Sequence, residues 1–422
     1  MQQRFAEATS STRQFVRRHR PDYQLILYIG ILLLLGLVVL YAISPARTEV
    51  INEAGGHALD QAHFMQRQLM FLLVGLTGFA ITASIPLKIW QKYAGKILIT
   101  AFVLCALLVV FGALNVPLAL CTSGACRWFN LGFTTFQPAE LVKFGLLLFV
   151  AGFLARRVAE GKVNSIADTI VPLGVVTAIS VLFIIVFQKD MGTGLAMLGI
   201  LATMLFVAGI NKRIGLILLA AMVGVGILLI LIAPHRIERV TTFLNPSDEL
   251  DGSSYHINQA KLAIGTGGFF GLGLGKSVQA FGYLPEAVND SIFAIMGELF
   301  GFVGLLALLA LFTAFLLRIL RIMDHVGDPT MKLLVAGVFG WVATHVVVNI
   351  GAMTGLFPLT GLTLPLLSFG GTSLLFIMLT LGLVFQISRY TSHIQYKEGK
   401  NNESADGRRR IRRTRNANPR YY

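Results

Sequence analysis

Ten apolar runs, each about 20 residues long, leave this 422-residue chain few folds to choose from. They lie at about 23–44, 68–86, 95–115, 139–155, 168–187, 190–210, 214–234, 290–317, 331–354 and 364–388. A helix of that length matches the hydrocarbon thickness of a bilayer, and within lipid only helices and closed barrels satisfy their own backbone. The pattern predicts an all-α integral membrane protein of about ten transmembrane helices. Charge content agrees, because 13% of residues are charged against roughly 25% in soluble domains.

The basic residues set an orientation. With the N-terminus inside, 26 of the 35 Lys and Arg fall in inner segments and 8 in outer ones, with Lys143 inside a run. The positive-inside rule then predicts both termini cytoplasmic and a long extracytoplasmic loop, 235–289, between helices 7 and 8. The chain divides into an N-terminal tail (1–22), one membrane domain (23–395) and a basic C-terminal tail (396–422) with a disorder-prone composition. The first run follows a polar, basic stretch and lacks a small-residue cleavage site, so it reads as a retained helix rather than a signal peptide. A net charge of +14 raises the question of nucleic acid. The charge lies in short patches between runs and in GRRRIRRTR (407–415), which argues for topology signals and contact with anionic membrane lipids instead. Cys121 and Cys126 share an outer loop where an oxidising compartment allows a disulfide, and spacing alone leaves that open.

Against this apolar background the polar, glycine-rich stretch 234–304 stands out, because it runs Asp290 into the eighth span. An acid at that depth is costly unless it has a role. The plain alternative is a cap for the helix that starts at SIFAIMGEL. The turn YLPEAVND also delivers Glu286, and Glu298 lies eight residues beyond Asp290, two turns along the same helix face. Two acids on one face predict a polar cavity. Residues 127–144 bring Arg127, Gln137, Glu140 and Lys143 to the fourth span; Glu140 and Lys143 are three apart and can pair, either as a structural ion pair or in a pocket for a charged substrate. QKDMGTG places Asp190 at another boundary, where a helix cap is again the plain reading. In 349–373, Pro358, Pro365, Gly370 and Gly371 break the approach to the last span, and such a segment needs protein or a cavity around its backbone. GLGLGKS (271–277) approximates a nucleotide-binding loop, but Phe270 stands where that motif needs its first glycine, so no nucleotide is expected.

Together the pieces RWFNLG…QPAELVK, QKDMGTGL, YHINQAKLAIGTGGFFGLGLGKSVQ…YLPEAVNDSIFAIMGELFG and GLFPLTGLTLPLLSFGGTSLL resemble the SEDS family (shape, elongation, division and sporulation). The likeness runs from about 23 to 395, and its wording is similar to the division branch more than the elongation branch. It implies a peptidoglycan glycosyltransferase that polymerises lipid II outside the bacterial plasma membrane, at the division septum, with Asp290 as the essential acid. The implied substrate contacts are Arg127, Gln137, Glu140, Lys143, Asp190, Arg236, Arg239, Gln259, Lys261, Glu286, Glu298 and Ser368. The chain departs from the family's usual wording at Asn289 and Ser291 beside the acid, and at Ala139, Lys189, Leu299 and Phe369.

The implied reaction is attack by a sugar hydroxyl on an anomeric carbon that carries a lipid pyrophosphate, with Asp290 as general base. Arg127, Lys143, Arg236 and Arg239 are candidates to meet the departing charge. A divalent cation (Mg2+ or Mn2+) could assist, although no compact ligand cluster in the sequence demands one. The implied partners are a class B penicillin-binding protein that cross-links the product and other membrane proteins of the divisome. Two rivals share the architecture: a lipid II flippase, and a non-catalytic scaffold for a partner synthase. A flippase needs polar groups along its whole path, whereas here they crowd the outer half.

Overall fold

The computed structural model describes residues 20–55, 59–122, 125–132, 134–231 and 253–391, and only the backbone of 122, 222, 223, 225, 227–231 and 253. The two expected tails, apart from 20–22, lie outside the described residues, as do Arg236 and Arg239. The helices are α1 (Tyr23–Gly55), α2 (His63–Ser84) and α3 (Leu87–Ala113), then α4 (Pro138–Ala159), α5 (Val171–Val181), α6 (Met191–Ala208) and α7 (Lys212–Leu231). After these come α8 (Ser253–Thr266), α9 (Ile292–His325), α10 (Pro329–Met353) and α11 (Gly371–Ile387). Wider π turns, Ile166–Ile170 and Leu182–Phe187, extend α5 at both ends.

Among the described residues nine helical stretches are long and apolar enough to cross a membrane. The 20-residue α7 coincides with the seventh expected run and brings the correspondence to all ten. Helix α4 starts at Pro138, whose missing N–H costs nothing in a first turn. Asp328 caps α10 by accepting from the Met331 N–H, and Gly209 ends α6 in the left-handed conformation. The interior is built by α4, α10 and α11, whose central windows are mostly buried, while α2, α3 and α5 are mostly exposed. Helix α11 packs on α2, α10 on α6, and α4 on α3. Where α6 and α10 cross, a Cβ on Gly340 would strike the Gly199 carbonyl, so the backbones meet directly, as small residues allow in membrane bundles.

The elements depart from the expected runs in four places. Helix α1 continues past 44 through Pro45, and the Thr48 hydroxyl one turn on donates back to Ser44 O and Pro45 O. Helix α9 is broken at Gly301 (φ 67°, ψ −165°). The last run becomes helical only at Gly371, and 354–370 is irregular. Helix α8 occupies part of the expected loop. Between α3 and α4, strands β1 (Ala119–Thr122), β2 (Ala125–Asn130) and β3 (Thr135–Phe136) form a small antiparallel sheet, in which Cys121 faces Cys126 and the two are disulfide-bonded.

Candidate active site

Asp290 sits at the last turn before α9 and is 8% exposed, between buried Val288 and Ile292. It is not the helix cap. That position belongs to Ser291, which makes no capping bond to α9. The Ser291 hydroxyl instead lies 2.8 Å from Pro285 O, 2.6 Å from His256 Nε2 on α8 and 3.5 Å from Asp290 Oδ1. Glu286 is exposed, has positive φ (50°), and accepts from Asn289 Nδ2 in the same turn. These bonds fix the Leu284–Ser291 turn from within and from α8.

A second set of bonds fixes the acid from behind. Asn349 Nδ2 on α10 donates to Asp290 O and to Leu362 O, both at 2.7 Å. Phe369 N donates to Val288 O at 2.8 Å. The irregular segment 354–370 is therefore clipped to the turn that carries Asp290. Several of its other polar groups are paired, although the buried Thr360 hydroxyl has no hydrogen-bond partner among the described residues. His345 Nδ1 lies 3.1 Å from Thr363 O, the Leu364 N–H donates to Ser368 Oγ at 2.8 Å, and Gln68 Nε2 reaches Ser368 O at 3.2 Å. Ser368 is thus a support of this segment.

Deeper in the bundle, Lys143 and Glu140 form a fully buried ion pair at 2.7 Å. Lys143 Nζ also approaches His345 Nε2 at 3.3 Å and the Trp341 ring at 4.6 Å. Trp341, His345 and Asn349 recur every fourth residue and so share one face of α10. That face joins the buried pair, the irregular segment and the Asp290 turn into one connected polar strip. The sequence reading missed all three residues. Their four-residue spacing inside an apolar run was the available signal.

The remaining candidates fall into separate groups. Arg127 on β2 donates to Gln188 O at 3.0 Å and Lys189 O at 2.9 Å. Asp190 caps α6 through the Thr193 N–H (2.9 Å) and hydroxyl (2.8 Å), and accepts from Gln137 Nε2 at 3.0 Å. The cap reading of Asp190 is what the geometry gives. Glu298 is buried and accepts from the Ser277 hydroxyl, Val278 N and Gln279 N, so it holds the glycine-rich loop instead of facing a cavity with Asp290. On α8, Gln259 is half-buried and Lys261 is exposed, its ammonium against Gly355. Among the described residues no three His, Cys, Asp or Glu side chains form a group that could hold a metal ion.

Residues 23–393 match the family described as cell cycle protein, which spans FtsW, RodA and SpoVE. Stage V sporulation protein E of Bacillus subtilis is 35% identical over 382 residues, which cover 89% of this chain and 99% of that protein. A protein of Aliivibrio salmonicida named "Probable peptidoglycan glycosyltransferase FtsW" is 36% identical over 370 residues, covering 87% and 88%. Among solved structures, a chain of a peptidoglycan synthase complex that coordinates polymerization and crosslinking superposes with a TM-score of 0.68 at 27% identity, covering 87% of this chain and 98% of that one. The rod shape determining protein RodA of Thermus thermophilus gives 0.63 at 27% identity, covering 88% and 98%. The chain belongs to the FtsW, RodA and SpoVE family of cell cycle proteins.

Proposed function

We propose that this chain is a peptidoglycan glycosyltransferase that polymerises lipid II at the outer face of the plasma membrane, with Asp290 as its general base. The observation that carries this reading is a nearly buried acid at the head of a membrane helix, held by its backbone from α10 and by its neighbour from α8. A lipid-linked sugar presents its reacting atoms at that level. The acceptor's 4-hydroxyl oxygen bonds to the donor's anomeric carbon as the bond from that carbon to the pyrophosphate oxygen breaks. The hydroxyl proton passes to the Asp290 carboxylate and later to water. The polyprenyl pyrophosphate leaves from the opposite face, so the configuration inverts. General-base assistance of this kind contributes about 10²–10⁴ in rate, or roughly 3–5.5 kcal/mol.

The other site residues divide by their partners. Lys143 is committed to Glu140 and His345, so the positive partners of the pyrophosphate are better sought at Arg127, Arg236 and Arg239. The charge asymmetry of the sequence supports cytoplasmic termini and an extracytoplasmic face at Asp290. The structural relative from a synthase complex supports a penicillin-binding transpeptidase as partner, and the FtsW-named relatives support a role at the septum.

Polymerisation by the purified chain with its transpeptidase in detergent micelles tests the activity. A micelle has no two sides to transport between, so a flippase yields no polymer there. Glycan strands formed from lipid II are the expected product, and unchanged lipid II would count against the enzyme reading.

A further inference from the structure

The glycine-rich stretch that marks a loop in the sequence is wired into a membrane helix in the structure. In an unbroken α9, Phe302 N would donate to Glu298 O and Val303 N to Leu299 O. The break at Gly301 separates these four groups, and the loop takes each of them. Leu272 N donates to Glu298 O at 2.9 Å and Gly273 N to Leu299 O at 3.1 Å. In return Phe302 N donates to Gly268 O at 2.8 Å and Val303 N to Phe269 O at 3.1 Å. The exchange needs backbone in close contact: a Cβ on Gly271 would strike Leu299 O, and one on Gly301 would strike Gly271 N. A loop whose backbone is paired in this way meets the condition for irregular chain at membrane depth.

Its side chains face the other way. Phe269 and Phe270 are 71% and 82% exposed, and Leu272, Leu274, Val278, Phe281 and Tyr283 are exposed as well. This surface is continuous with the outward face of α9 beyond the break, where Phe302 is 59% exposed and packs edge-on against Phe269 at 6.1 Å between centroids. Before the break, residues 292–299 are buried on all sides by protein. After it, the apolar residues 302–317 reach roughly 24 Å at 1.5 Å per residue, most of a hydrocarbon core of about 30 Å, before Arg318 pairs with Asp22. The break therefore lies toward the Asp290 end of the span, and the loop bonded to it lies at the same height.

We propose that Phe269–Tyr283 is an interfacial wedge, with its rings and aliphatic side chains seated among the lipids of the leaflet nearest Asp290. The exposed Lys276 within it is placed to meet lipid phosphates. The occupant of this apolar surface is bilayer lipid, because the surface continues the lipid-facing side of α9 without a step. The wedge holds Asp290, seven residues beyond Tyr283, near the membrane surface.

Spin labels on single cysteines test this in the full chain, reconstituted into vesicles of phosphatidylethanolamine and phosphatidylglycerol with Cys105→Ala as background. Phe270→Cys is compared with Phe302→Cys as the lipid-facing reference and Glu53→Cys as the solvent-facing one. The readout is the ratio of collision rates with dissolved oxygen and with a water-soluble nickel chelate. The wedge requires a ratio above one at 270, matching 302 and opposite to 53. A ratio matching 53 would place the loop in water and overturn the proposal. Protection from both reagents would mean that a second copy of the chain covers the surface, which overturns it equally. Because catalysis is not measured, the outcome is independent of the role assigned to Asp290.

Discussion

The Asn349 amide serves two backbone carbonyls that lie outside regular helix pairing, those of Asp290 and Leu362. Leucine at 349 would keep much of the volume and remove both donors. Each carbonyl left buried without a partner costs about 1–3 kcal/mol. Asn349→Leu is therefore expected to lower the unfolding midpoint in detergent and to reduce kcat more than it raises KM, because the acid's backbone loses its anchor while the substrate surface is unchanged. Thermal unfolding and steady-state polymerisation check the two parts. At this scale the sequence was only partly legible. Asp290 stood out because a carboxylate at a span boundary is costly, and the Glu140–Lys143 pair followed from three-residue spacing. His345 and Asn349 did not, because their partners lie on irregular segments whose approach to α10 no local spacing encodes.

At the scale of elements, hydrophobicity located the spans and backbone chemistry set their true ends. Helices α4, α6, α7 and α10 begin within two residues of their expected runs, since each starts at a proline or polar boundary. Pro358 and Pro365 announced the irregular segment before α11. The break in α9 was hidden, because Gly301 sits among glycines common in membrane helices and its cause is a loop 30 residues earlier at Gly271. Gly271 (φ +81°) and Gly275 (φ +77°) separate two costs. A side chain at either is strained by the left-handed backbone, at roughly 1–2 kcal/mol, but only at 271 does the Cβ meet another backbone; at 275 it meets open space. Gly271→Ala is expected to lower the unfolding midpoint clearly more than Gly275→Ala. Equal midpoints would mean that the loop is not bonded into α9.

For the whole molecule, the bundle brings a nearly buried acid, a clipped irregular segment and a lipid-facing loop to one end of the spans. Ten apolar runs made the architecture readable, because a bilayer leaves the backbone few choices. What each polar residue holds became readable from its hydrogen bonds. Asp190, Glu298 and Ser368 brace helices and loops, and the Asp290 turn is held by Asn349 at the Asp290 carbonyl and by Ser291 at the Pro285 carbonyl. The most direct test is polymerisation of lipid II by the chain with its transpeptidase, wild type against Asp290→Asn, with assembly of the pair checked in parallel. Asparagine keeps the shape and cannot take the proton. A loss of about 10²–10⁴ in rate with assembly intact is the predicted result. Polymer formed at the wild-type rate by Asp290→Asn would contradict the role assigned to this acid.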